Sequence, residues 1–365
     1  MTFVRMELED WFDRHQFVRE IELCESAVQF SHLNDLAVSL DDVALRYGHH
    51  AGSPELREVI AADYPGLTAE DVIVTNGGSE AIFGLYNGLL EPNDRIVVEH
   101  PNYPSLYEIP ETIGCEVVRF PLDYDEGFVP DVERLAASLT DDTRLLCITH
   151  PHNPTGSTIS EDTLRKIVEL CEQRGIVLLS DETYREMGFE AALPPAASLS
   201  PSAVSLSTMS KCYGLPGIRI GWMATQNRSL IERVLCVREY VTITNTALGE
   251  RIALHVLSDK HRYLSAAKDR VTANKAIMAE WIDGQDLVDW VEPTAGVVGL
   301  GRLADQVHDP DALYERLIEQ YGTTTIPGKY FGVDNRFFRL GFGGEPFNIV
   351  EGLRRFDQAL DDCSN

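Results

Sequence analysis

The chain is short of lysine. Six lysines occur in 365 residues, and arginine supplies 25 of the 31 basic side chains. It is also short of positive charge as a whole: 58 acids leave a formal charge of −27. Such a balance makes nucleic acid and anionic membranes poor partners. Long hydrophobic runs are missing, and none approaches the ~20 residues that a membrane helix needs. The opening ten residues carry no signal-peptide core, so a cytoplasmic location is expected. The seven cysteines stand at 24, 115, 147, 171, 212, 236 and 363, with no CxxC and no His/Cys pairing at zinc spacing. That scatter argues against a disulfide framework or a zinc site and for reduced thiols. Cys212 next to Lys211 reads either as a reactive thiol or as a small side chain packed beside its neighbour.

What is present fits a globular enzyme. Apolar residues make up 44% of the chain, an ordinary share. The length suits one large domain with a smaller one. Segment Glu7 to about Glu20 places Leu8, Trp11, Phe12 and His15 on one helical face, and residues 21–46 read as irregular. Ser53-Pro54-Glu55 opens a helix with a serine cap, a proline at the first helical position and an acid. Apolar runs at 72–75, 95–99, 115–120, 145–149 and 176–180 then alternate with helical stretches, 163–174 among them. This pattern predicts an α/β fold with a mostly parallel sheet covered on both faces. Beyond Trp222 two long helices are expected, at 228–258 and 262–283. Strands at 297–300 and 337–340 then belong to a smaller α+β part that the chain termini build. The expected division is an arm and part of the small domain at 1–46, a large domain at 47–260 and a small domain at 261–365.

The polar clusters fall at strand ends, where ligands collect in such sheets. Lys211 lies in Ser207-Thr208-Met209-Ser210-Lys211-Cys212-Tyr213-Gly214-Leu215-Pro216-Gly217-Ile218-Arg219. A lysine beside two hydroxyls and a fixed arginine suits a cofactor with both an aldehyde and a phosphate, which is pyridoxal phosphate. Gly77-Gly78-Ser79-Glu80 is either a phosphate-binding helix start or a plain strand-to-helix corner. Asn153, between prolines in Pro151-His152-Asn153-Pro154, can fix an amide donor for a phenolate oxygen or simply make a rigid turn. Asp181 can pair with a pyridinium nitrogen or cap a helix, and Tyr184 can reach the phenolate. Tyr103 can stack on a flat ring or pack in a core. His152 in its turn is a weaker candidate for a base.

In the order of these motifs the chain resembles the class I/II aminotransferases, fold-type-I pyridoxal-phosphate enzymes, from about Tyr47 to Phe342. The resemblance implies that Lys211 is the Schiff-base lysine and that Asp181 and Tyr184 share the catalysis. It implies phosphate contacts at Gly78, Ser79, Glu80, Thr208, Ser210 and Arg219, a ring-stacking Tyr103, and a phenolate contact at Asn153. Arg339, with Asn153 beside it, resembles the clamp for a substrate α-carboxylate. Tyr47 resembles the tyrosine that reaches a neighbouring subunit's phosphate, which implies a homodimer. The implied reaction moves an amino group between an L-amino acid and a 2-oxo acid.

Two stretches depart from the family pattern. Residues 23–33 stand where a glycine-proline substrate loop is usual, and residues 240–245 carry no arginine, so a dicarboxylate substrate is not supported. The opening Leu8-Glu9-Asp10-Trp11-Phe12, the Pro151–Pro154 turn and the lysine segment are similar to the capreomycidine synthase branch. That similarity implies elimination and ring closure on an arginine-derived amino acid as the alternative. The acidic, lysine-poor composition itself suits a high-salt medium, which screens self-repulsion. The urea midpoint of unfolding should therefore rise from dilute buffer to molar potassium chloride, and an unchanged midpoint would refute a salt-adapted surface.

Overall fold

The computed structural model describes residues 3–189 and 192–364. Its centre is a seven-stranded sheet. From one edge the strands run Glu116–Pro121, Arg95–His100, Thr143–Thr149, Val177–Asp181, Ala203–Thr208, Gly221–Ala224 and Val72–Thr75. All neighbours are parallel except around Gly221–Ala224, which runs antiparallel to both strands beside it. Successive side chains on a strand point to opposite faces, and the cores show it. Ile96, Val98, Leu145, Cys147 and Leu179 belong to one buried cluster, while Val97, Leu146, Ile148 and Leu178 belong to another. A strand buried on both faces needs an unbroken apolar run, which these segments have.

Helices Gly77–Leu89 and Arg228–Arg238 pack together over one face. Their contact is close: a Cβ at Gly84 would meet Val234, and one at Gly88 would meet the Arg233 backbone. Helices Val132–Ser138 and Glu161–Arg174 cover the other face. A second, antiparallel sheet orders Ile326–Pro327, Phe337–Gly341, Val298–Leu303 and Val288–Trp290. Helices Lys260–Asp283, Pro310–Glu319 and Pro346–Ser364 surround it.

The amino-terminal residues join the second sheet's side of the molecule. Ile21–Glu22 pairs in parallel with Thr323–Thr324, and Gly341 N–H donates to the Leu23 carbonyl at 2.7 Å. Residues 22–31 then run as a strap to the Lys211 loop. Val28 N–H bonds the Lys211 carbonyl, Ser31 N–H that of Gly214, and Gln29 N–H that of Gly343.

Three expectations need correction. The first helix ends at His15; Leu8 and Trp11 are its buried side chains, and the residues after His15 have no apolar wall to follow. The expected helix 228–258 is two, Arg228–Arg238 and Ala247–Ser258. The Arg238 carbonyl accepts N–H groups from Val241, Thr242 and Ile243, and Ile243 takes φ +66°, so the chain turns out of the helix. Thr246 then caps the next helix by accepting Gly249 N–H. Strands Ala203–Thr208 and Gly221–Ala224, not foreseen, complete the sheet on either side of the lysine loop.

Arg238 holds this turn to the sheet. It is 1% exposed and donates to the carbonyls of His50 and Val74 and to Asn245 Oδ1. Glu80 lies 3.7 Å away as its counter-ion. Arg238→Ala strands a buried carboxylate and three acceptors. It should cost about 3–5 kcal/mol in urea unfolding; a loss under ~1 kcal/mol would show the network to be dispensable.

Candidate active site

A cavity of about 620 Å³ opens at the carboxyl ends of the parallel strands. Its walls include Gly78, Ser79, Tyr103, Asn153, Asp181, Tyr184, Thr208, Ser210, Lys211, Arg219 and Arg339. Eleven of the thirteen residues read from the sequence therefore meet in one space. Tyr47 and Glu80 do not line it. Tyr47 is exposed, at 78%, on a surface segment. The Glu80 carboxylate turns back to accept the Asn76 N–H and the Thr242 hydroxyl and to pair with Arg238. An acid facing a phosphate would be repelled, so Glu80's side chain serves the helix start and not the cavity.

One end of the cavity is an anion cradle. Helix Gly77–Leu89 begins there, and Asn76 gives its first turn no side-chain cap, so free N–H groups and the positive dipole end face the space. Gly77 has φ +78°, and a Cβ on it would collide with the Arg219 guanidinium. A Cβ on Gly221 would strike the Gly77–Gly78 backbone at 2.6 Å. The bare backbone is thus what lets Arg219 lie against the helix start. The Thr208 and Ser210 hydroxyls sit 3.0 Å apart at the same end. Two hydroxyls, a guanidinium and open N–H groups are the donor set that a phosphate dianion takes.

Lys211 occupies the middle. Its Nζ donates to Ser26 Oγ at 2.7 Å and lies 3.9 Å from Glu25 Oε1. Burial lowers its pKa; Glu25 opposes that shift and Arg339 adds to it. Asp181, at the end of its strand, accepts the Thr183 N–H at 3.0 Å, and burial raises its pKa. A buried carboxylate of this kind favours a cationic group brought against it. The Tyr184 hydroxyl donates to the Ser26 carbonyl at 2.7 Å. Arg339 is 2% exposed, gives Nη1 to Asn153 Oδ1 and Nη2 to the Cys24 carbonyl, and leaves Nε without a partner. That unmet donor suits a carboxylate arriving from the cavity. The cradle, the lysine and these partners together fit pyridoxal phosphate.

Sequence reasoning missed Ser26, Glu25, Glu9 and Asn102, all of which line the cavity. Glu9 Oε1 accepts the Tyr103 hydroxyl at 2.9 Å. Asn102 accepts the Thr149 hydroxyl and the Tyr103 N–H while its Nδ2 stays unpaired. Two weaker candidates take structural places. His152 bonds Thr155 Oγ1 behind the wall, with its pKa pushed well below the usual value by burial. Cys212 gives its Sγ proton to the Thr183 carbonyl, and burial pushes its thiol up, so it is no nucleophile.

Glu22, just outside the cavity, carries a titration that folding creates. Burial, with Glu25's charge added, raises its pKa to about 7. A carboxylate raised on folding contributes stability below its ordinary range and loses it as pH climbs through the folded value. The urea midpoint should therefore fall between about pH 5 and pH 8, and Glu22→Gln should flatten that fall. Parallel profiles for parent and variant would show that Glu22 ionises normally.

The family model described as "Aminotransferase class I and II" matches residues 22–356. Capreomycidine synthase of Streptomyces vinaceus is 29% identical over 97% of this chain and 93% of its own. A pyridoxal-phosphate-dependent aminotransferase from Streptococcus suis superposes with a TM-score of 0.94 at 27% identity, covering 100% of both chains. The pyridoxal-phosphate-dependent cyclase OrfR follows at 0.92 and 28%, over 99% of this chain and 98% of that one. With its parallel central sheet and its cavity at the strand ends, the chain belongs to the class I and II aminotransferases, the fold-type-I enzymes that use pyridoxal 5'-phosphate.

Proposed function

We propose that the enzyme moves an amino group between an L-amino acid and a 2-oxo acid, with Lys211 as the proton carrier. The observation that carries this is one cavity holding a lysine of lowered pKa and a buried arginine with a free Nε.

The bound cofactor supplies a carbonyl carbon for the amine and a ring that withdraws electrons from the carbon bearing it. The protein's residues do the rest. Arg219, Thr208, Ser210 and the helix start at Gly78-Ser79 would hold the phosphate. Tyr103 would cover the ring face, and Asp181 would keep a proton on the ring nitrogen. Asn153 spends Oδ1 on Arg339, so its Nδ2 would be the atom that donates to the phenolate oxygen; Tyr184 would share that contact. Arg339 orients the substrate by its α-carboxylate, and so fixes which bond at the α-carbon faces Lys211. Lys211 Nζ, whose pKa burial lowers, would accept the α-proton once its amine is free. In transamination it would pass that proton to the cofactor carbon that bears the amine and not back to the α-carbon.

A second reading is elimination and ring closure on an arginine-derived amino acid, where Lys211 retains the proton while a side-chain group departs. Likeness to a capreomycidine synthase and to a cyclase over nearly the full chain supports it.

The reading extends to a homodimer. Arg238 donates to the His50 carbonyl, and His50 lies 3.5 Å from Glu239, so the chain three residues after Tyr47 meets the start of the 239–243 turn. Leu45, Tyr47, Tyr240, Val241 and Ile243 are all exposed there. An apolar face of this kind fits a second copy, which would bring Tyr47 to its neighbour's phosphate.

Holoenzyme treated with single amino acids separates the two reactions. Conversion to the pyridoxamine spectrum with one equivalent of 2-oxo acid supports transamination. An eliminated or cyclised product without that spectrum supports the second reading and refutes the first. Lys211→Ala should keep a phosphate-bound cofactor and lose at least about 10³-fold in turnover. Wild-type turnover in that variant would remove Lys211 from the chemistry.

A further inference from the structure

The cavity holds more negative charge than the proposed chemistry consumes. Three cations line it among the described residues: Lys211, Arg219 and Arg339. Each has a task, at the α-proton, the phosphate and the α-carboxylate. Asp181 is matched to the ring nitrogen. Glu9 and Glu25 remain, both on the cavity wall; the cation nearest to either is Lys211, 3.9 Å from Glu25 and already assigned to the α-proton. Glu9 takes only the neutral Tyr103 hydroxyl. Glu25 takes the Ser26 N–H at 2.7 Å and stands 3.9 Å from a lysine whose charge burial already disfavours.

An independent feature fixes which end of a ligand these acids meet. Arg339 lines the cavity, is 2% exposed and keeps one donor, the buried Nε, unpaired, which makes it the arginine fitted to a carboxylate. With the α-carboxylate held there and the α-carbon at Lys211, Glu9 and Glu25 are left to face the side chain. Leu8, Phe12 and Phe30 supply apolar and aromatic wall beside them, which suits a methylene stem and a cation against a ring. No cation is left over to receive a side-chain carboxylate.

We propose that Glu9 and Glu25 form the side-chain subsite and that the substrate is an amino acid whose aliphatic side chain ends in a guanidinium or ammonium group. This assignment rests on the cavity's being the pyridoxal-phosphate amino-acid site. It holds for either reaction, because charge at the side-chain end is read before the α-proton moves.

The test compares holoenzyme with L-arginine and L-citrulline, which share a shape and differ in charge, following the cofactor's visible spectrum and kcat/KM. Arginine should be favoured by roughly tenfold to a hundredfold, the usual worth of a hydrogen bond to a charged group. Glu9→Gln and Glu25→Gln should each narrow the ratio severalfold, and the cofactor spectrum reports that each variant is folded and loaded. Equal use of arginine and citrulline, or a preference for aspartate, by a fully loaded enzyme would overturn the proposal while leaving the cofactor site standing. Ratios unchanged in both variants would overturn it as well. A purified chain that takes up no cofactor would instead overturn the reading on which the subsite depends.

Discussion

The strap of residues 22–31 is the constraint on which the active cavity depends. It enters along the second sheet, where Leu23 exchanges backbone bonds with Thr324 and Gly341, and leaves along the Lys211 loop. Its backbone has almost no room. A Cβ at Gly341 would overlap the Glu25 carbonyl, one at Gly343 the Ala27 carbonyl, and one at Gly214 the Gln29 carbonyl. Three glycines, from two separate parts of the chain, therefore let one extended segment pass between the two sheets. What the strap carries explains the packing. Its Cys24 carbonyl takes an Arg339 hydrogen bond, its Ser26 hydroxyl takes Lys211, and its Ser26 carbonyl takes Tyr184. The arginine and the lysine come from positions 128 residues apart, yet one turn of three residues sets the distance between them.

The same arrangement resolves an electrostatic conflict. The molecule carries a formal charge of −27, and its ligands include anions. The cavity meets this with arginine and backbone rather than with lysine. Arginine is the residue suited to this task, because its planar guanidinium pairs bidentately with phosphate and carboxylate, whether partly open like Arg219 or buried like Arg339. The helix start at Gly77 adds positive potential at no cost in ionisable groups. That leaves Lys211 as the cavity's single lysine, free to have its pKa lowered for proton transfer.

How much could be read in advance follows from the range of the interactions. The stretch from Thr208 to Arg219 was legible because rare residue types stand at short, chemically meaningful spacing. The strand-end residues Asp181, Asn153 and Tyr103 were legible because each follows an apolar run, and a parallel sheet brings such ends together. Glu80 shows the limit of that logic. It shares a turn with Gly78 and Ser79, but its side chain leans back along the helix to Asn76 and Arg238. The break at 239–246 rests on the Arg238 carbonyl taking three N–H groups, and its one sequence marker, the Thr244-Asn245-Thr246 run that ends in the next helix's cap, carries neither glycine nor proline. Ser26, Glu25 and Glu9 were hidden for other reasons. Ser26 and Glu25 lie in a segment without periodicity, placed by glycines more than a hundred residues away, and Glu9 lies on a helix whose apolar face says nothing of what its polar side meets.

This division has a consequence for how such an enzyme acquires a substrate. The residues proposed to hold the cofactor's phosphate and ring sit on strand ends and helix starts of the central sheet. The side-chain end of the cavity is walled by the first helix and the strap, which reach it through a handful of backbone bonds and side-chain contacts such as Glu9 to Tyr103. Glu9 and Glu25 themselves are not part of the buried core, although their neighbours Leu8, Leu23 and Val28 are. A departure from the family pattern at residues 23–33 therefore reaches both parts of the cavity, because the strap that walls the side-chain end also holds Lys211 and Tyr184 through Ser26 and Arg339 through Cys24.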